Sequence, residues 1–388
     1  MSDSISQQFP YQSRRMPVMA RNMVAASQPL AAQAGLEMLR HGGNAVDAAL
    51  AAAITLTVVE PTMNGIGGDA FCIVWDGDRL HGLNASGRSP INLDLQRFRG
   101  LNEMPEKGWS SVTVPGQVSG WVELSSRFGE LPFDRLFEAA IDYAENGFQV
   151  SPITQRLWKQ AESEYAGYED FSVFLPNGRA PEVGELFRSP DHAASLRLIA
   201  ESRGEAFYRG ELAQKFITAS EAAGADFTLA DLDQHRAEWV ELISREYHGY
   251  RLHEIPPNGQ GLAALLMLGI LQFTDHDQHE MDSAEAIHLQ LEAMKLAFAD
   301  AHRYVADGDH LDIEITSLLD DGYLKSRASG IDSDRAGSPV EGVPGKSDTV
   351  YLSAADASGM MVSYIQSNFD GFGSGIVIPG TGISLQNR

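Results

Sequence analysis

Residues 329–369 read SGIDSDRAGSPVEGVPGKSDTVYLSAADASGMMVSYIQSNF, and the change of character inside this stretch organises the reading of the whole chain. The first part, 329–348, is rich in Gly, Ser, Pro and Asp and has no apolar period, which predicts a mobile loop. From Thr349 onward, β-branched, aromatic and alternating residues predict two adjacent strands in the interior of a sheet, joined by a turn over Asp356–Gly359. A loop therefore delivers the chain into a hairpin whose first residue is a threonine.

Working outward, the clearest other unit is a pair of helices near the N-terminus. Ser27 is placed to cap a helix with Pro29 in its first turn, running to about His41 and stopped by Gly42–Gly43. Asn44 then caps an Ala-rich helix that ends before Pro61, and its small residues on nearly every face predict burial on several sides. AFCIVW and RLHGLNA flank Asp76–Gly77, a sequence that favours a two-residue hairpin turn. Helical patterns return over 131–146, 260–273 and 284–303. No fixed-period repeat is visible, which sets aside solenoids and propellers.

The 388 residues fit one large domain or two ordinary ones. Lys and Arg number 29 against 53 Asp and Glu, a net charge of −24 that repels nucleic acid and anionic lipid. A hydrophobic content of 43% is enough for a sizeable core. Cys72 stands alone, which excludes an intramolecular disulfide and a cysteine-based zinc or iron–sulfur site and suits a reducing compartment. No apolar segment follows Arg14–Arg15 as a secretory signal requires, and the apolar run 48–59 is too short to span a membrane. The expectation is a cytoplasmic globular protein.

A threonine at a strand start is ordinarily a β-former. At the end of a mobile loop it has a second reading, a nucleophile released by self-cleavage. Its hydroxyl attacks the carbonyl of Asp348, the peptide becomes an ester, and water frees the α-amino group of Thr349. That amine, with an ordinary pKa of about 8, then serves as the base for the same hydroxyl. No metal or organic cofactor is needed. Arg88, in NASGRSP, is either a solvated surface charge or a planar clamp for a substrate carboxylate. Three other patterns carry less. Gly65–Ala70 has dinucleotide-fingerprint spacing but follows a helix and leads into a strand, the reverse of the order that chemistry needs. His276 and His279 sit in a solvated loop without a further ligand run. Ser374, among glycines 371, 373 and 375, lacks the strand–elbow–helix context of a nucleophile.

Several motifs in order resemble the γ-glutamyltransferase family: GGNAVDAA over 42–49, the Gly-rich turn 65–68, SVTVPG over 111–116, PPNGQG over 256–261 and EAMKLAFAD over 292–300. The resemblance runs along nearly the whole chain. It implies an α+β Ntn-hydrolase fold, an αββα sandwich of two stacked sheets between helical layers. It also implies a proenzyme cut between Asp348 and Thr349, with 1–348 as the large-subunit region and 349–388 as the start of the small catalytic subunit. The family's nucleophile falls on Thr349 and its second active-site hydroxyl on Ser367. Its binder of the substrate α-carboxylate falls on Arg88.

Departures from the pattern shape the substrate expectation. Tyr351 stands where the family usually has histidine. Phe369 and Arg388 stand where an asparagine and a glutamine hold the substrate α-amino group, so Arg388 enters that pocket as a cation. The pattern resembles a divergent branch that includes oxamate amidohydrolase and cephalosporin acylase relatives. The expected activity is hydrolysis or transpeptidation of γ-glutamyl amides such as glutathione, or the same chemistry on an oxamate-like or glutaryl amide. The family's small subunit continues past GTGISLQNR and carries the oxyanion glycines there, so the chain reads as truncated at its C-terminus. A third expectation follows, an inactive fragment or binding protein. The expected partners are a small-molecule amide and, after processing, the two subunits of one precursor, with no nucleic acid and no membrane.

Overall fold

The computed structural model describes residues 18–311, 313–338 and 350–387. Asp348, Thr349, Arg388 and the predicted loop from 339 onward lie outside the described residues.

Two helices set the core. In α1 (Pro29–Arg40) the cap is Gln28, whose side chain accepts from the Leu30 N–H. The expected cap, Ser27, instead donates its hydroxyl to the Glu60 carboxylate at the far end of the next helix, so a tertiary contact displaces the local one. α2 (Ala45–Val59) starts as its sequence predicts. Asn44 accepts from the Val46 and Asp47 N–H groups, and Asp47 accepts in return from the Asn44 N–H at 3.0 Å. All its residues are buried, because Ala, Thr and Val leave room for neighbours on every side. Gly35 of α1 meets that need directly, since a Cβ there would lie 2.6 Å from the Ala48 carbonyl oxygen of α2.

Among the described residues the twelve strands are β1 (Met23–Ala25), β2 (Asp69–Trp75), β3 (Leu80–Ala85), β4 (Phe148–Gln149), β5 (Leu186–Phe187), β6 (Glu238–Val240), β7 (Ile243–Tyr247), β8 (Tyr250–Glu254), β9 (Val350–Ala355), β10 (Met361–Ser367), β11 (Val377–Ile378) and β12 (Ile383–Ser384). Six of them form one sheet in the order β1-β9-β10-β2-β3-β6, and the others pair as β4–β5, β7–β8 and β11–β12. The predicted hairpin is thus found as β9 and β10, both interior and antiparallel, with Val350 opposite Gln366. The β2–β3 turn centres on Gly77–Asp78, one residue later than its sequence favours, because Asp76 pairs across to Arg79. Gly77 takes the positive φ of 100°.

The period-2 pattern decides which face of the sheet meets α2. Val350, Leu352, Ala354, Val362 and Tyr364 are buried, whereas Tyr351 and Met361 are exposed on the other face. Gln366, also buried, donates to the Ala53 carbonyl of α2 at 2.8 Å, tying helix to sheet. The predicted helix over 131–146 is a 3-10 turn, Phe133–Phe137, followed by Glu138–Asn146. Helices Leu262–Leu271, Ala284–Tyr304 and Asp321–Ala328 enclose a second, smaller apolar cluster against β7. No helix among the described residues is long and apolar enough to cross a membrane.

His192 is sealed in the main core, its Nε2 3.2 Å from the Thr57 hydroxyl of α2. Burial pushes its pKa down to about 4, against an opposing hydrogen bond with the Gly382 backbone. The unfolded chain therefore binds a proton that the folded chain refuses between the ordinary value of 6.5 and about 4. Stability from this group is present above pH ~6.5 and is lost as pH falls, at a limiting slope of about 1.4 kcal/mol per pH unit. The buried acids Asp47, Glu60 and Asp300 have raised pKa values and act in the opposite sense. The difference between the native chain and His192→Gln isolates the histidine. Urea-denaturation midpoints from pH 7 to 4 should fall more steeply for the native chain, and equal slopes would refute the assignment.

Candidate active site

The register of the sheet collects the site. Val350 pairs with Gln366, Gln366 with Ala70, and Ala70 with Ala85. The start of β9, the end of β10, the start of β2 and the end of β3 consequently share one end of the sheet. Three strand spacings of about 4.8 Å put Val350 and Ala85 roughly 14 Å apart. Ser367 is the last residue of β10, opposite Asp69, and Arg88 follows Ala85 by three positions. The Thr349 and Arg388 assignments lie outside the described residues, and so does the Asp348–Thr349 bond.

Ser367 is buried, and its Oγ accepts from the Phe369 N–H at 3.1 Å. Phe369 has a φ of 79°, a left-handed conformation uncommon for an aromatic residue, which turns the chain sharply away from the strand. The outgoing loop is then anchored twice. Phe372 is buried among Trp158, Tyr165, Phe171 and Phe174. Lys107 Nζ donates to the Tyr165 hydroxyl at 2.8 Å and the Gly373 carbonyl at 3.1 Å. Ser374 in this loop is fully buried and donates to the Leu385 carbonyl, so it is a structural hydroxyl.

Behind Ser367 the Gly65–Gly68 turn brings three stretches of chain into close approach. A Cβ on Gly67 would lie 2.3 Å from the Ser384 carbonyl oxygen, and one on Gly68 would lie 2.6 Å from that of Ser367. The Gly68 carbonyl accepts from the Gly116 and Gln117 N–H groups, and the Gly67 carbonyl from that of Gln386. These glycines serve backbone packing, a role that accounts for their close spacing. Gln386 closes the cluster, donating to Asp69 at 2.8 Å and to the Thr113 hydroxyl at 2.6 Å. Sequence reasoning missed Gln386, Asp69 and Thr113 as a unit.

Arg88 lines a cavity of about 650 Å³ together with Asn84, Ser86, Asn258 and His310. Its Nη1 donates to Asp307 at 3.1 Å, and its Nη2 lies 3.5 Å from Glu238. The guanidinium is more than half exposed, with 61% side-chain accessibility, so these pairs are solvent-screened and open to exchange for a ligand carboxylate. Its position is fixed from the backbone. Val114 N–H donates to the Arg88 carbonyl at 2.9 Å, and a Cβ on Gly87 would fall 1.5 Å from the Val114 oxygen. Asn84, Ser86 and Asn258 are mutually hydrogen-bonded beside it. Glu238 and Asp307 come from distant parts of the chain and had no sequence signal. Tyr351 points away from α2 and accepts from the Ser363 hydroxyl at 3.3 Å. His276 and His279 face Asp277 and Asp275 in their loop.

The profile of the family described as Gamma-glutamyltranspeptidase matches residues 31–388. A glutathione hydrolase-like YwrD proenzyme of Bacillus subtilis is 39% identical over 95% of this chain and 70% of its own length. An oxamate amidohydrolase proenzyme of Klebsiella pneumoniae is 38% identical over 96% of this chain and 71% of its own. The crystal structure of a cephalosporin acylase from Bacillus halodurans superposes with a TM-score of 0.92 at 49% identity, covering 98% of this chain and 72% of that one.

Two substitutions test the packing at this end of the sheet. Gly87→Ala should cost about 1–3 kcal/mol in urea unfolding, since the Val114 carbonyl must move. Gln386→Ala should cost a similar ~1–3 kcal/mol by stripping the Asp69 and Thr113 contacts in a buried setting. Unfolding free energies within about 0.3 kcal/mol of the native chain would show that neither contact matters.

Proposed function

This chain belongs to the gamma-glutamyltranspeptidase family of Ntn-type amidohydrolases, and we propose that it cleaves itself before Thr349 and uses the released threonine on an amide whose acyl part carries a carboxylate. The observation that carries this reading is the shared sheet end. Val350, bonded to Thr349, begins β9 opposite the neighbour of Ser367, and Arg88 extends from that same end into a cavity.

In the proposed reaction the Thr349 hydroxyl first attacks the Asp348 carbonyl, and the peptide shifts from nitrogen to oxygen. Hydrolysis of that ester leaves 1–348 as one subunit region and frees the α-amino group of Thr349. The amine then takes the hydroxyl proton as Oγ attacks the substrate amide and returns a proton to the departing nitrogen. The acyl-enzyme ester passes its acyl group to water, or to an amine. Arg88 holds the substrate carboxylate, and Ser367 holds the nucleophile's oxygen.

Two substrate readings are in play. An acyl part without an ammonium group, as in oxamate or a glutaryl amide, is supported by Phe369, which lacks the amide oxygen an asparagine offers an ammonium, and by the cationic Arg388. The names of the oxamate amidohydrolase and cephalosporin acylase relatives point the same way. A γ-glutamyl amide such as glutathione is favoured by a different observation: Glu238 and Asp307 flank Arg88 and offer carboxylates to an α-ammonium.

Denaturing electrophoresis with N-terminal sequencing should show a fragment beginning at Thr349, and Thr349→Ala should remain one chain. Persistence of two fragments in that variant would end the self-cleavage reading. The ratio of kcat/KM for glutaryl-anilide over γ-glutamyl-anilide decides the substrate class, with a ratio above one supporting the acylase type. Arg88→Lys, which keeps charge but loses the planar fork, should lower kcat/KM by about 10- to 100-fold on the preferred donor.

A further inference from the structure

We propose that a second cavity, on the opposite flank of β6 from Arg88, is a binding site for a small carboxylate held by Arg127. This cavity has a volume of about 660 Å³ and is walled by Arg127, Trp239, Arg79, His81, His253 and Glu241, among others. Its position follows from the alternation of β6. Glu238 reaches the Arg88 cavity, Trp239 faces the second one, and Val240 lines both.

Arg127 is pre-positioned and under-used. Its guanidinium lies 4.1 Å from the Trp239 ring centroid and 5.2 Å from that of Phe128, so two aromatic faces hold its plane. One donor is committed, from Nη2 to His81 Nδ1 at 3.0 Å. The other face of that imidazole explains the geometry: His81 Nε2 lies 2.6 Å from Asp76 Oδ2, so the proton sits on Nε2 and Nδ1 is left to accept. Asp76 is itself engaged by the Asp78 and Arg79 N–H groups. The acid one helical turn before Arg127, Glu123, accepts instead from the Trp239 indole at 3.3 Å. No carboxylate of the described residues forms an ion pair with Arg127.

An arginine that only covered an aromatic ring would be an ordinary surface feature. Here the guanidinium retains an unspent edge of a planar donor fork, the geometry that receives a carboxylate through two parallel hydrogen bonds. Among the described residues that wall the cavity, Arg79 and His253 add further donors and Glu241 is the carboxylate, with Asp76 and Glu123 one contact behind on His81 and Trp239. In a chain of net charge −24, two guanidinium groups on one cavity wall make it, like the Arg88 cavity, a place for an anion.

The test is isothermal titration of the full chain with sodium succinate at constant ionic strength on Arg88→Gln, which silences the other carboxylate clamp, and on the same variant with Arg127→Gln or Arg127→Lys added. Saturable binding is expected for Arg88→Gln, with at least a tenfold weaker dissociation constant once Arg127→Gln is added. Arg127→Lys, which keeps the charge and serves as the better-tolerated variant, should fall between them. Undiminished affinity in both Arg127 variants would overturn the site. So would the absence of saturable binding to Arg88→Gln. None of these outcomes depends on self-cleavage or on amide turnover, so the site and the proposed function stand or fall separately.

Discussion

The structure depends on a carboxylate sealed where water cannot reach it. Asp47 is fully buried in the first turn of α2, and its Oδ2 accepts from the backbone N–H groups of Asn44, Glu130 and Leu131. Burial raises the pKa of this acid, and those three N–H groups pull it back down. The arrangement caps the helix and at the same time fixes the segment that follows α3 (Gln117–Phe128). An uncompensated buried carboxylate costs several kcal/mol, so these donors must be in place whenever α2 is. Because α2 is enclosed on all sides, its position then sets α1, the sheet and the helices around it.

The sheet converts that packing into a site. Antiparallel pairing from β9 through β10 and β2 to β3 brings Val350, Ser367, Asp69 and the Arg88 segment to one end, although they span almost 300 positions of sequence. Loops near that end are held by close backbone contacts that only glycine permits, at Gly67, Gly68 and Gly87. The resulting frame is stiff, which suits chemistry in which small displacements of a nucleophile or clamp are costly. Arg88 is the exception by design of its surroundings: held at the backbone, its side chain is solvent-exposed between two carboxylates and remains exchangeable.

Charge has a local as well as a global meaning here. The strongly acidic chain places individual arginines where they stand out, Arg88 between Glu238 and Asp307 and Arg127 against Trp239. Both lie beside β6, a three-residue edge strand whose alternation sends Glu238 to one cavity and Trp239 to the other.

The sequence by itself determined the elements whose causes are local. The Asn44 cap, the Ala-rich buried helix, the Asp356–Gly359 turn and the period-2 hairpin around it were legible because capping, helix burial and strand alternation are written within a few residues. Ordered motifs identified the family, and with it the expectation for Arg88 and Ser367. Tertiary structure alone decided the rest. Gln28 replaced Ser27 as a cap because Glu60, more than thirty residues away, claims the serine hydroxyl. The Gly65–Gly68 turn is a packing junction because Ser384 and Ser367 press against it. The carboxylates around Arg88, the Gln386–Asp69–Thr113 cluster and the Asp76–His81–Arg127 relay join residues from separate strands and helices. Such contacts are set by sheet register and helix packing, and no spacing along the chain encodes them.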